Sequence, residues 1–134
     1  MADENRRGSD DQGDSAKRFD LGERTARFGE AVIAYAKTLP ITPVTRGMIG
    51  QLVDSGTSIG ANYSEANEGV SKKDFRNKIG TCLKESAEAK FWLRMTAKAV
   101  PERKEAARPL WQEAKELHLI FAKIFRSSGL RPER

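Results

Sequence analysis

The sequence is poor in the residues that most often perform chemistry, since its 134 residues include one cysteine, Cys82, and one histidine, His118. A single cysteine excludes an intramolecular disulfide and fits a reducing compartment such as the cytoplasm. Metal centres in helical bundles need paired Glu-x-x-His elements, and no glutamate stands three residues before His118. These shortages predict a protein that is not an enzyme and that holds neither a metal nor another cofactor.

Long apolar runs are also missing, so the sequence predicts no membrane-spanning helix. The first 17 residues contain no apolar segment, and we therefore expect no secretory signal. A hydrophobic content of 38% beside 32% charged residues is typical of a soluble, charge-rich globular domain. The length suits one domain with a real core.

Charge is distributed unevenly along the chain. The net charge is +5, but residues 1–17 hold five acids and three bases, so the remaining residues carry +7. A basic body behind an acidic tail fits the binding of a polyanion and equally fits ordinary solubility. The tail could also shield the basic body, which the sequence leaves open.

Four segments have apolar or small residues alternating three and four positions apart, the spacing of one helical face. The predicted inward-facing residues are Leu21, Thr25, Phe28, Val32, Tyr35 and Leu39 in the first helix, Met48, Leu52, Ile59, Tyr63 and Ala66 in the second, Phe75, Ile79, Cys82, Ser86, Ala89, Leu93, Thr96 and Val100 in the third, and Leu110, Ala114, Leu117, Phe121 and Ile124 in the fourth. Short connections between them predict an all-α, antiparallel up-down-up-down four-helix bundle. We assign 1–18 to a disordered tail, 19–128 to the bundle and 129–134 to a short C-terminal tail.

Capping signals set the predicted helix boundaries. Thr42 is a plausible N-cap for a second helix from about 43 to 67, and Ser71 with Asp74 three residues later opens the third. Pro109 lies inside the fourth helix, at about 103–127, and predicts a kink or a late start there. The second helix also carries Gly56 and Gly60, which predict close approach of a neighbouring helix.

Three stretches of the middle helices carry a family resemblance: SGTSIGANYSEA, a KKDF helix start, and LKESAEAKFWL. Together they resemble the 23S rRNA intervening-sequence proteins over roughly residues 19 to 127. The residues that match the family pattern are Ser55, Gly56, Ser58, Ile59, Gly60, Asn62, Glu65, Ala66, Phe75, Leu83, Lys84, Glu85, Glu88 and Trp92. The acidic front tail and Tyr63 depart from that pattern.

The resemblance implies a four-helix protomer that assembles into a ring-like homopentamer. The family that it resembles has no agreed enzymatic activity. A protein similar in fold, the accessory variability determinant of diversity-generating retroelements, implies nucleic acid and a reverse transcriptase as partners, by fold-level analogy alone. Independently of the resemblance, Trp92, Met95 and Trp111 lie off the predicted inward stripes. Partly exposed apolar residues of this kind favour a subunit interface.

The candidate nucleic-acid-binding residues are the bases along the third helix and into the fourth, namely Lys72, Lys73, Arg76, Lys78, Lys90, Arg94, Lys98, Arg103, Lys104 and Arg108. Because no interleaving of aromatic residues with these bases suggests base stacking, we predict contacts to the phosphate backbone with little sequence preference. The alternatives are that these bases form ordinary solvated faces, and that the protein is an interaction scaffold without a nucleic-acid role.

Other candidate sites are weaker. Glu65, Glu85 and Glu88 could suggest a carboxylate metal centre, but the pattern favours pairing of Glu65 and Glu85 with cations, Ser or Asn groups across helices two and three. The stretch 55–60 resembles a phosphate-binding loop yet lacks its Gly-Lys-Ser/Thr ending. Cys82 falls on a core position, which predicts an inert buried thiol.

Overall fold

The computed structural model describes the backbone of residues 9–69 and 71–129 and the side chains of residues 21–69 and 71–129. Four α-helices make up this part of the chain: α1 is Ser9–Ala36, α2 is Thr45–Asn67, α3 is Lys72–Ala99 and α4 is Lys104–Ser127. A 3₁₀ turn, Pro101–Arg103, joins α3 to α4. Each helix packs on the next, and α1 also contacts α4. The predicted all-α class and four helices are confirmed.

The first helix begins earlier than its apolar pattern indicates. Helical backbone starts at Ser9, inside the range 1–18 for which we predicted a disordered tail. The predictions for residues 1–8 and 130–134 lie outside the described residues.

The start of α3 has a side-chain cap, whereas the N-cap residue of α2 is Val44 rather than the predicted Thr42 and makes no side-chain cap hydrogen bond. The Ser71 hydroxyl accepts a hydrogen bond from the Asp74 amide at 3.0 Å, which confirms the predicted cap of α3. The Thr42 hydroxyl accepts from the amides of Val44 and Thr45, both at 3.1 Å, so Thr42 satisfies amides at the start of α2. The helix itself begins at Thr45, two residues after the predicted start.

The predicted inward stripes build the core. All six residues of the first stripe are buried, and α3 contributes Ile79, Cys82, Ala89 and Leu93 with no exposed surface. The polar core groups are hydrogen-bonded, as buried polar groups must be: the Tyr35 hydroxyl lies 3.0 Å from the Thr96 hydroxyl, linking α1 to α3. Phe75, Leu110 and Ile124 from the predicted stripes are half-buried and pack against the core, whereas the predicted inward residue Met48 is half-buried and is not among the residues that pack against it. Within the described residues, no helix is both long and apolar enough to cross a membrane.

Glycines allow α1 and α2 to approach closely. A Cβ atom at Gly56 would lie 2.9 Å from both γ-carbons of Val32, and one at Gly60 would lie 3.3 Å from the Thr25 hydroxyl. A Cβ at Gly29 would lie 3.5 Å from the Gly56 carbonyl oxygen. Side chains at these positions would push the helices apart, since interaxial distance follows side-chain size at the contact.

An arginine on another side of α1 connects this helix to α4 through ion pairs. Arg24 donates from Nε to Glu113 at 2.6 Å and from a terminal nitrogen to Glu113 and Glu116, each at 2.9 Å. The hydrogen bonds to Glu113 are the largest cause of the raised pKa of Arg24. This half-exposed cluster joins α1 to α4, where direct helix packing is least extensive.

We expect the Gly56→Ala substitution to destabilise the protein by about 1–3 kcal/mol, because the new methyl group meets the buried Val32 side chain and overpacks the contact. Gly50→Ala is the matched control in the same helix, because a Cβ there has no neighbour within 4 Å. It should leave the stability unchanged or raise it by up to about 1 kcal/mol. Chemical denaturation of the two variants measures both effects, and equal stability changes would contradict the packing argument.

Candidate functional site

The bases predicted to bind nucleic acid divide into two groups at opposite ends of the bundle. Lys72, Lys73, Arg76 and Lys78 lie at the start of α3, whereas Lys90, Arg94, Lys98, Arg103, Lys104 and Arg108 follow its second half into α4. From Arg76 to Lys98 the helix advances about 33 Å, at about 1.5 Å per residue. The ten bases therefore do not form one surface.

Intramolecular contacts occupy part of the first group. Lys78 forms an ion pair with Glu65 of α2 at 2.5 Å, which confirms the predicted pairing of Glu65 across the two helices. The Arg76 guanidinium stacks on the ring of Phe125, with its carbon 3.7 Å from the ring centroid. Lys72 and Lys73 are exposed. This end of the bundle thus offers two lysines whose side chains project into solvent.

Four bases of the second group line a groove between α3 and α4. The groove has a volume of about 580 Å³, and its cationic rim is formed by Arg94, Lys98, Lys104 and Arg108. Leu93, Ala97, Pro101, Ala107 and Trp111 supply its apolar lining. We call this depression, with these nine residues, the basic groove. Its volume lies in the range of about 300–1,000 Å³ that is usual for ligand pockets.

The charges of the rim remain largely available. Within the described residues, the acid paired with the rim is Glu105, whose carboxylate lies 3.2 Å from Arg108. Both side chains are exposed, and the hydrogen bond from Arg108 lowers the pKa of Glu105. Exposed pairs of this kind contribute little energy and exchange partners readily. Arg103 is directed elsewhere, because its Nε donates to the Thr38 hydroxyl at 3.1 Å.

An aromatic residue of α4 lies among the cations. The ring centroid of Trp111, which is half-buried, lies 5.5 Å from Lys90 Nζ and 5.7 Å from Lys115 Nζ. Both distances suit cation–π attraction. The bases along α3 gave no indication of this ring, because Trp111 reaches the groove from α4. The spacing of Lys104, Arg108, Trp111 and Lys115 on one helical face is the signal that could have revealed it.

The other flank of α3 carries the acids Glu85 and Glu88 together with Lys84. Burial and the neighbouring charges of Glu88 and Asp54 raise the pKa of Glu85. The pairing predicted for Glu85 is not found among the described residues. His118 follows the groove along α4, and burial together with Lys90 lowers its pKa, which disfavours the positively charged imidazole.

The remaining candidates take structural positions. Ser55, at the start of the glycine-containing stretch, is buried within α2 and donates to the Leu52 carbonyl at 3.2 Å. The predicted off-stripe residues Trp92, Met95 and Trp111 are half-buried, as expected, and the ring of Trp92 packs edge-on against Phe91 at 4.9 Å. Among the described side chains, no group of three His, Cys, Asp or Glu residues could hold a metal ion.

Comparisons with known proteins agree with this helical architecture. A family model described as "23S rRNA-intervening sequence protein" matches residues 17–123. A crystal structure from Bacteroides thetaiotaomicron, of a protein with unknown function from the S23 ribosomal protein family, is 27% identical with a TM-score of 0.69. The match covers 79% of this chain and 98% of the bacterial one. No curated protein matches the chain.

We expect Cys82 to resist thiol reagents in the folded protein. Its side chain is fully buried, its sulfur donates to the Ile59 carbonyl at 3.5 Å, and burial raises the pKa of the thiol to about 12. The reactive thiolate is therefore scarce below that pH. Labelling by a chromogenic disulfide reagent at pH 8 should be slow in native buffer and complete in denaturant. Rapid labelling of the native protein would contradict the inert, structural role.

Proposed function

Since the chain belongs to the 23S rRNA-intervening sequence protein family, we propose that it is a non-enzymatic, oligomeric accessory protein that binds nucleic acid through the basic groove. The observation that carries the proposal is the convergence of Arg94, Lys98, Lys104 and Arg108 on one concave surface. Phosphate groups are the ligands that such clusters of Lys and Arg bind most often.

The composition of the groove lining supports this proposal over an ordinary solvated face. Acids and bases intermix on a surface that serves only solubility, whereas the nine residues that line the basic groove include four cations and no acid. A concave surface with one sign of charge focuses its field on an oppositely charged ligand.

An apolar ridge on the outer side of α3 supports self-association. Phe91 has 51% of its surface exposed, and the half-buried Trp92 and Met95 lie beside it. A monomer would leave this ridge in water, so we propose that it contacts another subunit. In a homopentameric ring the basic groove would recur five times, and the combined sites would bind a long polyanion far more tightly than one site.

The same ridge favours the alternative function, a protein-interaction scaffold. Aromatic residues and methionine are enriched at protein interfaces, so Phe91, Trp92 and Met95 could accept a partner of another kind. A nucleic-acid enzyme such as a reverse transcriptase is the partner that would unite the two proposals.

Removing charge from the basic groove should weaken binding of RNA and duplex DNA, measured by fluorescence anisotropy over a salt series. We expect the triple substitution Arg94→Gln, Lys98→Gln and Lys104→Gln to reduce affinity at least tenfold at low salt and to make the slope of log K against log salt shallower by about 2–3, since each lost phosphate contact removes about 0.7–0.9 from it.

A second triple variant, Lys37→Gln, Arg46→Gln and Lys123→Gln, loses the same charge from exposed positions outside the groove and is the matched control. It should retain most of the affinity. Equal losses in the two variants would show that net charge alone governs binding. If the unaltered oligomer binds neither RNA nor DNA at low salt, the nucleic-acid proposal fails and the scaffold alternative replaces it.

Light scattering coupled to size exclusion should report a mass about five times the 14.9 kDa of one chain. The Phe91→Glu substitution should dissociate the oligomer, because it places a charge in the apolar ridge. Leu119→Glu is the control, as Leu119 is a similarly exposed apolar residue, at 58%, on α4. A monomer at micromolar concentration, or an unaltered mass for Phe91→Glu, would contradict the proposed interface.

A further inference from the structure

Resting on the proposed function, we infer that the basic groove binds single-stranded nucleic acid and seats one unpaired base against Trp111. Proteins that bind single strands combine a cationic channel, which follows the phosphates, with an aromatic side chain on which a base stacks. The basic groove provides both elements on adjoining walls, since its cations come from both helices and its aromatic ring comes from α4.

The position of Trp111 fits a stacking role. Its half-buried ring is fixed against the core by packing, and part of its surface lines the groove. Lys90 and Lys115 hold their ammonium groups 5.5 and 5.7 Å from the ring centroid. Lysine side chains are flexible, so these ammonium groups can move from the ring to the phosphates on either side of a stacked base.

The cations are spaced for successive phosphates. Lys90, Arg94 and Lys98 are four residues apart on α3, which places them about 6 Å apart along the helix axis. This interval is comparable with the distance between neighbouring phosphates of an extended strand. Lys104 and Arg108 form a second row with the same spacing on α4. A strand lying between the two rows would have its phosphates neutralised from both sides.

The apolar lining discriminates between single strands and duplexes. Leu93, Ala97, Pro101 and Ala107 present no hydrogen-bonding side chain to the groove, so they suit the flat, weakly hydrated face of a base. In a duplex the faces of the bases are covered by their stacked neighbours. The sugar-phosphate backbones of a duplex would therefore meet the cationic rim of the basic groove before any base could enter it. A duplex can therefore engage the cations but cannot place a base on Trp111.

Tryptophan fluorescence tests whether an unpaired base stacks on Trp111. The chain has two tryptophans, so Trp92→Phe leaves Trp111 as the sole reporter. The probes are short oligouridylate and oligothymidylate strands, an abasic strand of equal length and charge, and a duplex. Both unpaired strands should quench Trp111 fluorescence, whereas the abasic strand and the duplex should bind without comparable quenching. A difference between the two unpaired strands would distinguish RNA from DNA as the preferred source.

Substitutions provide the second measurement, in the otherwise unaltered chain. Trp111→Leu should reduce affinity for the unpaired strands about tenfold or more and leave affinity for the abasic strand and the duplex unchanged. Trp111→Phe should retain most of the affinity because it keeps an aromatic face. Phe125→Leu is the matched control, since Phe125 is a half-buried aromatic of α4 that also contacts a cation, Arg76, outside the groove.

The outcomes separate this inference from the proposed function. Equal binding of unpaired, abasic and duplex probes, without quenching, would overturn the base-stacking inference and leave phosphate binding intact. If the protein binds none of the probes at low salt, both the base-stacking inference and the proposed binding of nucleic acid are wrong. Displacement of the oligonucleotides by polyglutamate at equal charge concentration would also overturn the inference, because it would identify the groove as a site for an acidic protein segment.

Discussion

The approach of α1 to α2 over their glycines is the constraint on which the rest of the packing depends. Without a side chain at Gly56, Val32 enters the interior fully, and the following turn of α1 places Tyr35 within hydrogen-bonding distance of Thr96 on α3. The interior of a protein is close-packed, so a shift of one helix would be transmitted to the helices that contact it. The close approach of α1 to α2 at Gly56 is thereby linked to the contact between α1 and α3.

The position of α3 in turn creates the groove. This helix packs extensively on both α2 and α4, so its two flanks meet different environments. Towards α4 the facing residues Ala97 and Ala107 are too small to fill the space between the helices, and the bulkier Trp111 bounds the resulting depression. The long side chains of Arg94 and Lys98 are charged and therefore do not enter the core. They extend around the groove and keep their charges in water.

Much of this architecture could be predicted from the sequence, because the core stripes and caps are local patterns. The alternation of apolar residues in α1 and the Ser71 cap depend on spacing within one helix, and both agree with the structure. The extent of α1 was harder, since helix formation from Ser9 has no apolar periodicity to reveal it. The groove was harder still: its cations were identified, but the contribution of Trp111 depends on the rotation of α4 about its axis relative to α3.

The Arg24 cluster has a consequence beyond joining α1 to α4. By binding Glu113 and Glu116, it draws two carboxylates of α4 towards α1, while Lys104 and Lys115 remain on the side that faces α3. Arg24 compensates one of these two carboxylates, so the side of α4 that faces α1 is slightly negative, whereas the side that faces α3 carries Lys104 and Lys115. A protein with such an uneven charge distribution experiences a torque in the field of a highly charged body. An approaching polyanion would therefore favour orientations in which the side of α4 with Lys104 and Lys115 faces it.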